Sequence, residues 1–154
     1  AFDLAGLTPF EQDVLAVAQR IPAGETRPYR WVAVQIGRPA AVRAVGTALG
    51  HNPVPLLIPC HRVTRSDGTT GHYAFGPAMK ESLLRAEQVN LDEVRDLARA
   101  RVFYLAGTDT GVLCFPTCRN ARRLEPEHRQ GFRTLDEAVG QGYRPCPHCQ
   151  PAAG

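Results

Sequence analysis

The first part of the chain places apolar side chains at helical spacing. Thr8, Pro9 and Glu11 fit an N-cap, a first helical position and a capping-box partner. The apolar residues that follow this start recur every three or four positions, as Phe10, Val14, Val17 and Ile21. Pro22 and Gly24 then break the pattern, so a first helix is predicted to end ahead of Pro22.

Two shorter helices are predicted next, over residues 29–36 and 39–50, with Gly37 as the stop between them. On the second of these helices, Val42, Val45 and Leu49 share an inner face. Its outer face carries one arginine among small residues, namely Ala40, Arg43, Ala44 and Thr47. Two short helices joined at a glycine are a helix-turn-helix candidate, and a narrow outer face would allow close approach to a DNA groove. A plain helix pair fits the same pattern.

Beyond residue 50 a region without helical spacing is followed by two further predicted helices. Residues 50–76 are rich in Gly and Pro and predict loop and short strand, where chemistry is often found. Residues 78–88 predict another helix. The charged stretch 91–100 contains neither Gly nor Pro and predicts a helical connector at a domain boundary.

Alternating apolar and polar positions replace helical spacing after residue 101. Residues 102–106 alternate, a TDTG turn follows, and a second run ends at Cys114, which together predict a β-hairpin. Thr134 and Glu137 form a capping box, so a short helix is predicted to start there and to end near Gly140 or Gly142. This second unit has about fifty residues, and a domain of that size needs a metal or disulfides for stability.

Composition narrows the class of protein without deciding its function. Apolar residues make up 44% of the chain and charged residues 21%, the balance of a soluble globular protein. No apolar run approaches the roughly 18 residues that a membrane span needs, and the first residues lack the features of a secretory signal. We therefore expect a cytoplasmic protein with no membrane partner. The net charge of +3 does not by itself predict nucleic-acid binding, although 17 of the 18 basic residues are Arg, which suits phosphate.

Four of the five cysteines lie late in the chain, as Cys114, Cys118, Cys146 and Cys149. Three residues separate the first pair, two separate the second, and 27 lie between the pairs. Two short cysteine pairs joined by a long spacer commonly close a tetrahedral thiolate site, so Zn²⁺ is the expected cofactor. Free buried cysteines or a redox pair are the alternative. His148, between two of these thiols, is expected to be a solvated neighbour rather than a ligand.

Cys60 stands apart from the other cysteines, inside the run PCHRV. A thiol attacks as its thiolate, and a nearby histidine oriented by a carboxylate can take the proton. Cys60 and His61 are therefore a candidate nucleophile and base. A cysteine in an apolar run such as LLIPC is otherwise common as buried packing.

The sequence around Cys60 resembles a known family. From GETRPYRWVAVQIG to LLRAE the chain is similar to the active domain of O6-alkylguanine-DNA alkyltransferases, with PCHRV, RAVG and the trailing G-x-x-G-x-Y as the specific parts. The resemblance implies irreversible, single-turnover transfer of an alkyl group from O6 of guanine to Cys60. It implies that His61 is the general base, acting through water, and that Glu87 orients His61. It also implies that Asn52 supports the site loop and that Tyr73 donates a hydrogen bond to the base.

The same resemblance makes residues 39–50 a recognition helix in the minor groove of double-stranded DNA. Arg43 would replace the extruded guanine in the base stack, and Tyr29 would turn the backbone phosphate. A base inside a duplex cannot reach a protein thiol, so extrusion is required, and small side chains would allow the close approach. The expected DNA-binding residues are Tyr29, Ala40, Arg43, Ala44 and Arg62.

The second half resembles another module. The runs FYLAGTDTGVLCFPTCR and GFRTLDEAVGQGYRPCPHCQP are similar to the zinc-binding methyl-acceptor module of Ada-type DNA repair proteins. In that family zinc keeps the first cysteine as an activated thiolate that accepts a methyl group from a backbone phosphotriester, and the matching residue is Cys114. Arg119, Arg122 and Arg123 are candidates for phosphate contact, with ordinary surface charge as the alternative.

The two resemblances together imply an α+β protein. A helical, winged helix-turn-helix-like alkyltransferase domain over residues 1–95 would precede a small zinc-stabilised α/β domain of Ada type over residues 101–154. The expected partner of the monomer is double-stranded DNA carrying O6-alkylguanine, with methyl phosphotriesters as a second substrate.

Two departures from these families matter for function. The N-terminal subdomain common in alkyltransferases is expected to be absent, and the order of the modules argues against a transcriptional regulator. The alternative function is that of an alkyltransferase-like sensor, which flags the lesion for excision repair without transfer and would carry a purely structural zinc. Such sensors usually have another residue at the reactive position, so Cys60 favours transfer.

Overall fold

The structure, a computed structural model, describes residues 6–53 and 57–151. Its helices are α1 (Pro9–Ala18), α2 (Tyr29–Gln35), α3 (Val42–Gly50), α4 (Pro77–Ala86), α5 (Leu91–Arg99), α6 (Arg119–Arg122) and α7 (Leu135–Gly140). Its strands are β1 (Arg27–Pro28), β2 (Val63–Thr64), β3 (Tyr104–Gly107), β4 (Val112–Cys114), β5 (Arg129–Phe132) and β6 (Arg144–Pro145). The predicted α+β class is confirmed. None of the helices in the described ranges is long and apolar enough to cross a membrane.

The α1 helix starts where its capping box predicts. The Thr8 hydroxyl accepts a hydrogen bond from the Glu11 N–H, and the Glu11 carboxylate accepts one from the Thr8 N–H, both at 3.1 Å. Its apolar face packs against α2 and α3 around a shared core, which includes Val14, Leu15, Trp31, Val32, Val45 and Leu49. Burying this face is what holds three short helices together, because each is too short to be stable alone.

The α3 helix begins at Val42 and not at Pro39, so the predicted start is wrong. The Ala41 N–H donates to the Arg38 carbonyl at 3.0 Å and closes a tight turn over Pro39 and Ala40. Ala40 therefore precedes the helix instead of lying on its face. Val45 and Leu49 are buried as predicted, and Arg43, Ala44 and Thr47 are exposed, whereas Val42 is 37% exposed rather than inside.

A short parallel strand pair positions the loop that carries Cys60. β1 lies beside β2 with Arg27 opposite Val63 and Pro28 opposite Thr64. A single 3₁₀ turn, Cys60–Arg62, comes directly before β2. The turn is thus held on one side by the strand pair and on the other by the α1–α3 core.

The second half is built on a four-stranded sheet with the order β5-β3-β4-β6. β3 and β4 form the predicted hairpin, with Leu105 opposite Cys114. β6 was not predicted, and it lies parallel to β4, so the Cys146 N–H donates to the Leu113 carbonyl at 2.8 Å. This pairing carries the late cysteine pair to the early one.

Candidate functional site

Cys60 lies in the wall of an open pocket of about 790 Å³. One wall comes from α3 and the others from α2 and the loop after β2; the pocket is lined by Tyr29, Arg43, Thr47, Cys60, Arg65 and Tyr73 among others. The Cys60 side chain is only 5% exposed. A cavity of this size accepts a ligand as large as a nucleobase, and a group that is to reach the thiol must enter it.

His61 and Glu87 are brought together by the 3₁₀ turn and the C-terminal end of α4. The His61 Nε2 lies 3.0 Å from the Glu87 Oε1. Burial tends to raise the pKa of Glu87, but hydrogen bonds from Arg62 and His61 outweigh it and lower that pKa overall. The carboxylate is therefore ionised and accepts the Nε2–H, which leaves the lone pair on the His61 Nδ1.

The His61 ring is kept neutral. Burial lowers its pKa below 6.5, and the hydrogen bond and charge of Glu87 oppose this shift without cancelling it. The buried Nδ1 has no hydrogen-bond partner among the described residues. A neutral imidazole with a free, buried lone pair is suited to accept a proton.

Arg62 holds the carboxylate from the other side. Its Nε and one terminal nitrogen donate to the two oxygens of Glu87 at 3.0 and 2.5 Å, and its other terminal nitrogen donates to the Ile21 carbonyl at 2.8 Å. All three guanidinium nitrogens are thus used inside the protein. The prediction that Arg62 binds DNA remains a prediction, and this geometry does not favour it.

Asn52 and Tyr73 both lie close to the loop that carries Cys60. The Asn52 amide donates to the Ile58 carbonyl at 2.8 Å, two residues before Cys60, and so supports the site loop. Tyr73 lines the pocket, and its buried hydroxyl has no hydrogen-bond partner within residues 6–53 and 57–151. A buried hydroxyl without a partner has an unused donor, which a ligand held beside Tyr73 can satisfy.

The sequence analysis missed Lys80, whose side chain is fully buried. Its ammonium donates to the Val63 carbonyl at 2.6 Å, the His72 carbonyl at 3.1 Å and the Tyr29 hydroxyl at 3.3 Å. The available signal was its position: the single lysine of the chain stands four residues before the buried Leu84 on α4, hence on the apolar face.

The predicted DNA-binding residues divide between the pocket and its surroundings. Tyr29 and Arg43 line the pocket, and Arg43 is exposed on α3. Ala44 is exposed on the same helix, and Ala40 is exposed in the turn before it. The structure therefore brings Tyr29 and Arg43 to Cys60, and leaves the two alanines outside the pocket.

The four late cysteines converge on one buried site. Their sulfur atoms lie within 4.8 Å of one another. The Phe115 N–H donates to the Cys149 sulfur and the Asn120 amide to the Cys146 sulfur, both at 3.4 Å. Hydrogen bonds among the thiols lower the pKa of Cys118 and raise the pKa of Cys114, because the first sulfur accepts the bond that the second donates. Four clustered thiols with N–H donors around them fit the tetrahedral thiolate set that zinc prefers.

Two further predictions concern the surroundings of this site. Arg119, Arg122 and Arg123 are exposed beside Cys118, and none of them forms a salt bridge to another described residue. Their contact with phosphate stays a prediction. His148 is not the solvated neighbour that was expected: its side chain is 23% exposed, and its Nε2 lies 2.9 Å from Glu25 in the first half of the chain.

Comparison with known proteins gives matches for both halves. The family model for the DNA binding domain of 6-O-methylguanine DNA methyltransferase matches residues 9–89, and the model for the metal binding domain of Ada matches residues 91–152. The latter match and the clustered donor set together support zinc as the cofactor, with the four late cysteines as its expected ligands.

Several relatives and solved structures match the first half. A methylated-DNA–protein-cysteine methyltransferase of Methanosarcina barkeri is 50% identical over 84 residues, 54% of this chain and 53% of that protein. The bifunctional transcriptional activator/DNA repair enzyme Ada of Escherichia coli is 47% identical over 88 residues, 57% of this chain and 25% of that protein. The crystal structure of Mycobacterium tuberculosis OGT in complex with DNA matches at a TM-score of 0.53 and 43% identity, over 57% of this chain and 55% of that chain. The matched region thus spans about half the length of these relatives or less.

Proposed function

Because this chain belongs to the 6-O-methylguanine DNA methyltransferase family over residues 9–89, we propose that it repairs alkylated DNA by moving an alkyl group from O6 of guanine to Cys60. The buried series Cys60, His61 and Glu87 beneath an open pocket carries this proposal. A lesion sensor needs only the pocket, whereas transfer also needs the thiol and its base. A monomer suffices, since one chain supplies all of these groups.

The substrate must be a guanine turned out of double-stranded DNA. Cys60 is 5% exposed within the pocket, so the O6 atom of a stacked base cannot approach its sulfur. Arg43 is exposed on α3 at the edge of the same pocket, where its planar guanidinium can take the place of the extruded base. We expect α3 to lie in the minor groove, with Tyr29 directed to the backbone phosphate.

Transfer is a displacement at the alkyl carbon. His61 Nδ1 takes the thiol proton through a water molecule, and the Cys60 sulfur bonds to the alkyl carbon as the carbon–O6 bond breaks. The bonding electron pair stays on O6, and the Tyr73 hydroxyl donates a hydrogen bond as this charge develops. The guanine anion then takes up one proton from solvent, and the His61 imidazolium releases to solvent the proton that it took from the thiol. The thioether has no leaving group at neutral pH, so each molecule reacts once.

Lys80 supplies a fixed positive charge close to this reaction. Its ammonium touches Val63, three residues after Cys60, and Tyr29 in the pocket wall. The charges of Lys80 and a Cys60 thiolate attract each other. Lys80 therefore stabilises the negative charge that forms on the sulfur once the proton has left.

Cys114 is the candidate for a second transfer, from methyl phosphotriesters. Of the four zinc-binding cysteines, Cys114 retains 2% exposure and the other three are fully buried. The Cys149 and Cys146 sulfurs accept N–H hydrogen bonds from Phe115 and Asn120, whereas no such bond to the Cys114 sulfur is present among the described residues. Such bonds withdraw charge from a thiolate, so Cys114 should be more nucleophilic than Cys146 and Cys149, and its exposure distinguishes it from Cys118. We accordingly assign the two transfers to two domains, residues 1–95 and 101–154.

One experiment tests both transfers. The protein, with zinc bound, is incubated with duplex DNA that carries either O6-methylguanine or a methyl phosphotriester, and the added methyl group is located by peptide mass spectrometry. We expect one methyl group on the Cys60 peptide with the first duplex and one on the Cys114 peptide with the second. The Cys60→Ala variant is the control that should bind the first duplex without gaining mass.

The outcomes are distinct. Tight binding of O6-methylguanine DNA by the wild type without methyl transfer would overturn the main proposal in favour of a sensor. No methyl group on Cys114 would leave its zinc structural.

A further inference from the structure

We propose that zinc at the four cysteines also braces the loop that carries Cys60. The connection runs through residues 25–27, which lie at the end of the segment between α1 and β1 and at the start of β1, and it does not depend on the α5 connector. The reactive role of Cys60 rests on the proposed function, but the coupling between zinc and the Cys60 loop can be measured without DNA.

The first contact is an outer-shell pair around a zinc ligand. A carboxylate oxygen of Glu25, a ring nitrogen of His148 and the Cys118 sulfur lie within 4.8 Å of one another. The His148 Nε2 is 2.9 and 3.2 Å from the two carboxylate oxygens, and Glu25 is 2% exposed. A buried carboxylate needs such a partner, because leaving it unpaired is costly. Glu25, from the first half, is thus part of the surroundings of the zinc centre in the second.

The second contact joins two threonines. The Thr117 hydroxyl accepts from the Thr26 N–H at 2.8 Å, donates to the Thr26 carbonyl at 3.2 Å and lies 3.2 Å from the Thr26 hydroxyl. Thr117 immediately precedes the zinc ligand Cys118 and is buried. The N–H and the carbonyl of Thr26 therefore keep their hydrogen-bond partner only while the zinc loop that contains Thr117 holds this conformation.

The third contact is the buried guanidinium of Arg27. It donates to Glu25 at 2.8 Å and lies between two aromatic rings, 5.6 Å from the centre of Trp31 and 6.0 Å from that of Phe115. Phe115 follows the ligand Cys114, and its N–H donates to the ligand Cys149. Arg27 thus packs on a residue whose position is set by the zinc site.

Arg27 connects these contacts to the Cys60 turn. It forms β1 together with Pro28 and lies opposite Val63 of β2, and β2 begins directly after the Cys60–Arg62 turn. Along this route the zinc loops and the turn are joined by direct contacts and by strand pairing. Without zinc, four thiols have no common centre to hold the loops at 114–118 and 146–149 together, so Thr117 and His148 lose their fixed positions.

Hydrogen exchange measured by mass spectrometry on the full chain tests the coupling. The protein is compared with bound zinc and after removal of zinc by a chelator, with peptides that cover residues 57–65. We expect exchange in these peptides to speed up by about tenfold or more on zinc loss. In Thr117→Val, which keeps all four thiols but loses one of the three contacts, the effect of zinc on these peptides should become smaller, whereas Thr110→Val, in the exposed β3–β4 turn, should behave as the wild type. Faster exchange confined to residues 112–149 would overturn the proposal.

A zinc titration tests the same link from the other side. Competition with a chromophoric chelator should show about 10- to 100-fold weaker zinc binding in Glu25→Gln, the range for loss of an outer-shell partner. Glu11→Gln, which removes a carboxylate paired with His51, is the matched control and should leave the affinity unchanged. Equal affinity of wild type and Glu25→Gln would refute the outer-shell role. If zinc loss unfolds the whole chain, peptides from α1 also exchange, and this titration decides the question.

Discussion

Lys80 offers a prediction whose size follows from its surroundings. The side chain is fully buried, and burial lowers its pKa from 10.5 to about 8, with the Cys60 charge opposing the shift and Arg65 adding to it. At pH 7 the ammonium is still protonated. The ammonium of Lys80 therefore binds its proton less tightly in the folded protein than in the unfolded chain.

The effect of Lys80 on the free energy of unfolding depends on pH. The pKa is lower in the folded state, so the unfolded chain binds the proton first as the pH falls. Above pH 10.5 Lys80 does not reduce the free energy of unfolding. The reduction grows as the pH falls from 10.5 to 8 and is constant below pH 8. The two pKa values differ by 10.5 − 8 = 2.5. At about 1.4 kcal/mol for each pKa unit, the cost at pH 7 is about 3 kcal/mol, of which about 2.5 kcal/mol should be recovered by pH 10.

Urea unfolding of the wild type and of Lys80→Met, with zinc present, at several pH values between 7 and 10 measures this effect. Methionine leaves the Val63 and His72 carbonyls without their donor, so the variant should be less stable throughout, and only the change with pH is compared. The wild type should gain about 2 to 3 kcal/mol more than the variant between pH 7 and 10. Parallel curves would refute the reasoning. If the variant does not fold, the NMR titration of the wild-type ammonium decides, with a midpoint near 8 expected and one near 10.5 contradicting it.

Three further predictions concern the two sites. Since burial lowers the pKa of His61, the rate of transfer from O6-methylguanine should stay level as the pH falls from 7 to 6.5 and should drop only below pH 6.5. A drop that already begins above pH 6.5 in a quenched single-turnover assay would contradict the assigned base. Gly71→Ala should cost about 1 to 3 kcal/mol in denaturant unfolding, because a Cβ would lie 2.8 Å from the Tyr29 hydroxyl at a φ of +79°. The control Gly37→Ala, at a φ of +78° with nothing within 4 Å, should cost less, and equal losses would discount the contact with Tyr29. Cys146→Ser should bind zinc weakly and unfold at lower temperature, whereas unchanged chelator competition would contradict the ligand assignment.

The elements that were predicted correctly are those that depend on interactions between residues close together in the sequence. The Thr8–Glu11 and Thr134–Glu137 boxes predicted the starts of α1 and α7, because a cap hydrogen bond joins residues three positions apart. The hairpin ending at Cys114 was predicted for the same reason, since its turn and strands are adjacent in sequence. Misjudging the start of α3 has a local cause as well: Pro39 fits a first helical position, but the Arg38–Ala41 turn competes with it.

Local sequence patterns were therefore enough to infer the kinds of element, the cysteines expected to bind zinc and, through the resemblance, the residues that should meet at Cys60. Which distant groups touch them depends on how the chain packs. Arg62 is 25 residues from Glu87, and Glu25 is 123 residues from His148, so no periodicity or cap connects either pair. Burial likewise exists only once the chain has packed, and it is burial that lowers the pKa of Lys80 and of His61. The residues were visible in the sequence, but their charges and partners are properties of the fold.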